Sequence, residues 1–268
     1  MRCSKVTLDE YITIIHEFIR DKVDKTNSQG VVLGLSGGLD SATVLKLCID
    51  SLGRDKVHCL IMPEKASPEE DMRDARWLAE EWGVNYDEID IDKIMRVFPA
   101  VKDKRLANAN LKTRIRMCVE YYHANISDKL VIGTSNKSEI LLGYTTKYGD
   151  SAVDFLPIGD LYKSEVKDLA ARIEVPSRFL DKIPRAGLWE GQTDEDEIGY
   201  TYKVIDKILE GFEKNRSLED ISKNNGVSLK AVRDIKRMVL KSAHKRKIPT
   251  ICKLRIATVG KDWREFSH

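Results

Sequence analysis

Apolar residues along this chain recur with two alternating periods. The opening segment carries Tyr11, Ile12, Ile15, Phe18 and Ile19 on one helical face, and Thr7 with Glu10 has the form of a capping box. Gly30 to Leu35 is then a short β-branched run bounded by glycine and a Ser-Gly-Gly turn, which predicts a buried strand. A helical pattern over 41–52 follows and ends at Gly53. The alternation repeats. Lys56 to Met62 reads as a second strand. A helix follows, with Ser67 as its N-cap, Pro68 at its first position, Glu70 closing a capping box and Gly83 at its end. Asn85 to Ile91 reads as a third strand, Asp103 to Asn125 as a helix, and Leu130 to Gly133 as a fourth strand. Strands and helices alternating at this spacing predict a parallel sheet with helices on both faces, an α/β doubly wound fold.

After Gly143 the pattern loosens. Residues 143–160 form a loop rich in Gly, Asp and Thr, Lys163 to Ile173 is helical, and Pro176 to Asp194 is a second long loop. Helices return over about 195–214, 217–225 and 228–243. No internal repeat and no flexible tether divides the chain. One domain over residues 1–268 is expected, with loops long enough to be sites or lids.

Composition narrows the class. The 268 residues are 42% hydrophobic and 33% charged with a formal net charge of +2, which excludes a strongly basic coat protein and an acidic disordered tail. No apolar run approaches the roughly 18–20 residues that span a bilayer, and the N-terminus lacks an apolar signal core. A soluble, cytoplasmic protein with no membrane partner is expected. Cys3, Cys48, Cys59, Cys118 and Cys252 are scattered and form no C-x-x-C pair, so neither a disulfide scaffold nor a structural zinc site is expected. Cys3 falls in a frayed end, and Cys48 and Cys118 fall on apolar helix faces. The histidines show no H-E-x-x-H spacing. Charge is uneven, however. Residues 230–268 hold 12 Lys/Arg against 3 Asp/Glu, which is either a solvated face or a place where an anion is held.

The candidate chemistry lies at Gly34, Leu35, Ser36, Gly37, Gly38, Leu39, Asp40 and Ser41, which join the end of a buried strand to a helix. Gly37 and Gly38 let the backbone turn sharply and approach a ligand. Ser36 and Ser41 add hydroxyls, and the helix start aims free N–H groups at the same place. Together they make a pyrophosphate cradle, with Asp40 offering an oxygen to a hard cation such as the magnesium of a polyphosphate. The loop is neither a Walker A sequence nor a dinucleotide fingerprint.

S-G-G-x-D-S after the first strand resembles the loop of the N-type ATP pyrophosphatases, which cleave ATP between its α and β phosphates and adenylate a substrate. An ordered series further along is similar to the NAD synthetases within that group. It comprises Gly133 to Glu139, Gly143 to Asp150, Asp154, Pro157, Leu161 to Lys163, Lys182 to Pro184, and Leu188 to Glu195, and the resemblance covers about residues 8–250. It implies a Rossmann-like sheet of the adenine nucleotide alpha hydrolase type with extra C-terminal helices. The ATP pyrophosphatase core would occupy about 30–175 and a helical part about 195–250, with no glutaminase domain. It further implies Mg2+ on Asp40 and Glu139, and ATP on the Ser36–Ser41 loop, Thr134 and Lys163. Deamido-NAD would be bound by Arg114, Lys147, Asp154, His244 and Lys245. A homodimer is implied as well. One position departs from the family: before Ala186 a small hydroxyl residue usually contacts ATP, and this chain has Arg185.

The reaction so implied is amidation of the nicotinate carboxylate of deamido-NAD. Attack on the α phosphate gives an acyl adenylate, and ammonia then displaces AMP. Magnesium, Lys163 and the loop amides would neutralise the departing pyrophosphate, and Asp154, or failing that Asp150, would accept a proton from ammonium. The synthetase pattern begins within the first ten residues and no amidase cysteine accompanies it, so free ammonia is the expected donor. Trp77, Leu78 and Trp82 read as packing. Ser217 to Val239 has a helix–Gly turn–helix form, read here as structural, with no nucleic-acid partner. Two alternatives remain: a tRNA-modifying ATP pyrophosphatase that uses the basic C-terminus for RNA, and a non-catalytic adenine-nucleotide sensor. RNA affinity falling steeply with salt would mark the first. ATP binding without AMP formation would mark the second.

Overall fold

Four parallel strands lie in the order β3-β2-β1-β4: β1 (Val31–Gly34), β2 (Val57–Ile61), β3 (Asn85–Glu88) and β4 (Leu130–Ile132). The computed structural model describes residues 7–99, 104–185, 187, 189, 191–260 and 262. Cys3, the helix start expected at Asp103, Ala186, and Leu188 and Glu190 of the motif series lie outside them. The central strand β1 is a continuous apolar run because both its faces are covered. Val31 and Leu33 pack into one core with α1 (Leu8–Thr26) and α2 (Leu39–Leu52). Val32 packs into the other with Leu60, Val131 and Ile115. A single bridge between Ile132 and Phe155 extends the sheet beyond β4.

The remaining elements of the sheet region are α3 (Glu69–Glu81), the short α4 (Asp92–Met95), the long α5 (Arg105–Ile126), α6 (Lys137–Leu142), α7 (Lys163–Arg172) and α8 (Ser177–Leu180). The expected capping box at Thr7 is present. Thr7 Oγ1 accepts from the Glu10 N–H at 3.3 Å, and Glu10 Oε2 accepts from the Thr7 N–H at 2.6 Å. The one at Ser67 is not. Its hydroxyl accepts the Glu64 N–H at 3.0 Å and closes a turn, so α3 starts one residue later on Pro68 without a side-chain cap. Cys118 also departs from expectation. It is exposed on α5, whereas Cys48 is buried. Trp77 and Trp82 pack on the core as expected, Trp77 stacking on Phe179 at 6.5 Å.

The C-terminal part forms a separate apolar cluster from α9 (Asp194–Ile198), α10 (Tyr202–Glu213), α11 (Leu218–Asn225) and α12 (Leu229–Lys241), with Leu142 and Tyr162 completing it. The expected single helix over 195–214 is broken at Gly199, which takes φ +84°. Ile221, Val232 and Ile235 of the helix–turn–helix segment face this cluster and are fully buried. Among the described residues, no helix is long and apolar enough to cross a membrane.

Strand order decides where a ligand can lie. From β1 the chain crosses to β2 on one side, and β4 returns on the other. A crevice therefore opens beyond the carboxyl ends of β1 and β4. The Ser36–Ser41 loop and Thr134 both leave the sheet at that place.

Candidate active site

Leu35 is buried and extends the ladder by one bond, its N–H donating to the Leu60 carbonyl at 2.9 Å. The chain then turns under α3. Gly37 has φ +77°, and a Cβ there would lie 2.0 Å from the Asp71 carbonyl oxygen, so only glycine fits. Gly38 is the N-cap of α2, and no side chain caps that end. Ser36 Oγ and Ser41 Oγ are 3.0 Å apart, the Gly38 N–H donates to Ser36 Oγ at 3.3 Å, and Ser41 Oγ donates to the Gly38 carbonyl at 3.0 Å. The loop is thus braced by its own serines around the positive end of a 14-residue helix, an arrangement suited to phosphate.

Beside the cradle, three elements converge on one point. Asp40 comes from the first turn of α2, Glu139 from α6 and Lys163 from the first position of α7. Lys163 Nζ forms a short ion pair with Asp40 Oδ2 and lies 3.5 Å from Glu139 Oε1. Glu139 is fixed in place because it closes the capping box of α6 with Asn136. Burial pushes its carboxyl up to about 8, with Lys163 opposing that shift. Burial also disfavours the Lys163 ammonium, but Asp40 and Glu139 outweigh it and hold the amine charged well above the ordinary lysine range. Asp194, at the start of α9, joins the same field, and burial raises its carboxyl. Asp40 Oδ1 and Asp194 Oδ1 are buried without a hydrogen-bond partner. Such orphaned carboxylate oxygens are costly unless a cation meets them. A donor set made only of carboxylate oxygens suits a hard ion such as Mg2+.

The other expected positions are placed as follows. Thr134 is half-buried two residues after the end of β4. Arg114 Nε and Nη2 donate to the Lys147 carbonyl at 3.3 and 3.2 Å, so those two residues are neighbours, and Lys147 Nζ lies 5.0 Å over the Tyr148 ring. Asp154 is tied to the sheet. Its Oδ2 accepts the Val131 N–H at 2.7 Å and its Oδ1 accepts the Tyr121 hydroxyl at 3.1 Å. Asp150 Oδ1 accepts the Thr146 N–H at 2.6 Å and caps its own loop. His244 is exposed. Lys245 Nζ donates to the carbonyls of Gly143 and Thr145 at 2.7 and 2.6 Å, so it pins the loop that carries Lys147. Arg185, the departure from the family pattern, pairs with Asp71 at 2.8 Å and Glu70 at 3.3 Å on α3.

Several contributors were given no role by the sequence. Lys182 Nζ donates to the Gly37 carbonyl at 2.8 Å and pairs with Asp71 at 2.9 Å, so it braces the cradle from outside. The Tyr202 ring lies 5.4 Å from Lys163 Nζ, and its hydroxyl donates to Asp194 Oδ2 at 3.3 Å. Asp206 Oδ1 accepts the Ser138 hydroxyl at 2.5 Å and Oδ2 accepts the Ser164 N–H at 2.9 Å, locking α6 and α7, the helices that present Glu139 and Lys163, onto α10. One signal was available. Asp206 is a charge on the apolar face formed by Tyr202, Ile205 and Leu209, and all four are buried. Part of the C-terminal basic charge also does structural work. Arg246 donates to the carbonyls of Leu141 at 2.8 Å and Val239 at 2.7 Å, closing the ends of α6 and α12.

With this geometry in place, comparison with known proteins is informative. Residues 11–249 match the model of the family described as NAD synthase. The chain is 48% identical to the NH(3)-dependent NAD(+) synthetase of Archaeoglobus fulgidus over 253 residues, covering 93% of this chain and 99% of the relative. Among solved structures it superposes on an NMN synthetase from Francisella tularensis with TM-score 0.80 and 34% identity, over 92% of this chain and 99% of that one. An NH3-dependent NAD synthetase from Campylobacter jejuni gives TM-score 0.76 at 34% identity, with the same coverage.

Proposed function

The chain belongs to the NAD synthase family, and on that premise we propose that it converts deamido-NAD to NAD with ammonia and ATP, releasing AMP and pyrophosphate. It is then a ligase that forms a carbon–nitrogen bond. The observation that carries the reading is the convergence of Asp40, Glu139 and Lys163 beside the Ser36–Ser41 cradle. A carboxylate does not react with ammonia unaided, because its leaving group would be oxide. Attack of the nicotinate carboxylate on the α phosphate breaks the α–β bond and makes AMP the leaving group for the second step.

The side chains divide that task. The α2 N-terminus and the Ser36 and Ser41 hydroxyls orient the phosphates. Lys163, held charged by its neighbours, neutralises the pyrophosphate as it leaves. Asp40 and Glu139 would hold Mg2+, which supplies further charge neutralisation when bound, and the orphaned oxygens of Asp40 and Asp194 support that role. Arg114, Lys147, Asp154, His244 and Lys245 remain the candidate surface for the dinucleotide; Arg114 and Lys147 stand together, Lys245 also pins the loop that carries Lys147, and Asp154 is anchored to β4. Asp154 and Asp150 remain the candidate proton acceptors for ammonium, although each spends carboxylate oxygens on backbone N–H groups. Free ammonia as donor is supported by the ammonia-dependent relative, almost all of which this chain covers. A homodimer is part of the same reading, to be checked by sedimentation. A reducing, cytoplasmic setting fits the four described cysteines, all unpaired.

The likeness to an NMN synthetase brings a second substrate into view, the deamido form of the mononucleotide. One chromatographic assay separates the readings. The protein receives Mg-ATP with deamido-NAD or its mononucleotide counterpart, and with ammonium or glutamine. We expect NAD and AMP in equal amounts from deamido-NAD with ammonium, and little from glutamine. Faster turnover of the mononucleotide would move the assignment to NMN synthesis. ATP binding with neither AMP nor an amide product would move the assignment to the sensor or the tRNA-modifying enzyme, which RNA affinity and its salt dependence tell apart.

A further inference from the structure

Three side chains that the proposed reaction does not use meet at the outer edge of the sheet, two strands away from the cradle strand. His58 lies on β2, Asp87 on the edge strand β3 and His123 near the end of α5. In the parallel register His58 stands beside Asn85 and Leu60 beside Asp87. Alternation therefore puts His58 and Asp87 on the sheet face of Leu60, the face that α5 covers with Ile115. The helix brings His123 down to the same point. His58 Nε2 donates to Asp87 Oδ2 at 2.9 Å, and His123 Nδ1 is 3.8 Å from that oxygen. One ligand atom from each residue lies within 4.8 Å of the other two, a grouping that no other His, Cys, Asp or Glu trio among the described residues attains. The imidazoles stack at 6.2 Å and 16°, and Tyr122 meets His123 edge-on at 5.8 Å, so the rings are held in place. Both histidines are mostly covered and Asp87 is half open, which leaves one side to solvent.

We propose that His58, Asp87 and His123 form a metal site separate from the Asp40–Glu139 carboxylates, taking a borderline transition ion such as Zn2+ and clamping β3 onto α5. Two imidazole nitrogens and one carboxylate oxygen suit Zn2+, Co2+ or Ni2+, whereas Mg2+ prefers oxygen donors and water. Bonds of about 2.0–2.1 Å at tetrahedral angles place donors about 3.3–3.4 Å apart. The observed 2.9 and 3.8 Å straddle that spacing and the two ring nitrogens lie within 4.8 Å of each other, so modest rotations of all three side chains complete the set, with water as fourth ligand. The edge strand gains most from such a clamp. β3 is four residues long and largely exposed, and among the described strands it is paired on one side only.

The test uses the whole protein, stripped with chelator and returned to buffer containing saturating Mg2+. Zn2+ and Co2+ are then titrated with stoichiometry read by dialysis and melting temperature by scanning fluorimetry. The expected result is one equivalent bound per chain with a raised melting temperature, and a Co2+ visible spectrum without thiolate charge-transfer bands. His123→Ala and Asp87→Ala both lie outside the residues placed at the cradle, and each should retain Mg2+-dependent ATP turnover. Each should weaken Zn2+ by more than the roughly 10- to 100-fold that loss of an outer-sphere partner costs, and should lose the melting shift. Absence of stoichiometric uptake by the unmodified protein overturns the proposal, leaving a hydrogen-bonded His–Asp pair. So does uptake unchanged in both variants, or a thiolate band pointing to Cys118 or Cys252.

Discussion

Replacing Lys163 by Met removes the cation between Asp40 and Glu139 while keeping most of the side-chain volume. Lys163, Asp40 and Glu139 side chains are only 10%, 15% and 14% exposed, so the charges are poorly hydrated and depend on one another. Removing one member of a buried ion pair costs about 3–5 kcal/mol. The cost here is smaller because burial already raises the Glu139 carboxyl, and loss of Lys163 favours its neutral form further, leaving Asp40 as the stranded charge. We expect about 2–4 kcal/mol, which at a urea m-value of about 2–3 kcal/mol/M lowers the midpoint by about 1 M. The same substitution removes the group proposed to face the departing pyrophosphate, so AMP formation should fall by about 10²–10³. Urea unfolding followed by far-UV dichroism and a coupled AMP assay read the two effects separately. A midpoint shifted by less than about 0.2 M refutes the electrostatic argument. Turnover within about threefold of the unmodified enzyme, with the midpoint lowered as expected, refutes the catalytic role and leaves a structural salt bridge.

Three further outcomes follow from the same geometry. Gly37→Ala places a Cβ 2.0 Å from the Asp71 carbonyl at φ +77°, and should cost about 2–4 kcal/mol in urea and raise the KM for ATP more than that for deamido-NAD; equal changes in both KM values would argue against a phosphate role for this turn. Glu120, beneath Gly34, has its carboxyl pushed by burial up to about 7, so ionising it makes the fold less stable as pH rises from about 4.5 through 7. Glu120→Gln should therefore match the unmodified protein at pH 4.5 and exceed it by about 1–3 kcal/mol at pH 8, and parallel pH profiles would contradict this. Arg185→Thr restores the small hydroxyl usual in the family and removes a partly exposed ion pair to α3; stability should change by about 1 kcal/mol or less, and ATP binding, read by calorimetry, should be unchanged. A large loss of ATP affinity would show that Arg185 leaves α3 for the phosphates.

Much of this protein was written in its local sequence. Strand existence and order along the chain follow from short apolar runs such as Val31 to Leu33, since burial on both faces demands continuous hydrophobicity. The cradle follows from adjacent glycines between a strand and a helix, and the Thr7–Glu10 box sets a helix start through contacts three residues apart. These features depend on neighbours in the chain, and local sequence specifies them. The family series singled out Glu139 as a candidate, and its capping box with Asn136 shows how local spacing fixes its orientation.

Tertiary structure decided what depends on distant partners. Ser67 was a plausible N-cap until Glu64 offered its N–H across a turn, and Gly199 broke a helix whose apolar pattern ran on. The family series placed Lys163 at an ATP-contacting position, but no local pattern shows that its ammonium meets Asp40 and Glu139 from two other elements, or that Tyr202 and Asp194 close around it. Nor could charge counting show that Lys245 and Arg246 donate to backbone carbonyls of distant elements. Hydrophobic period is a property of short stretches of chain. The pairing of charges and the satisfaction of buried polar groups are settled only when the elements meet, and in this fold the meeting place is the crevice at the carboxyl ends of β1 and β4.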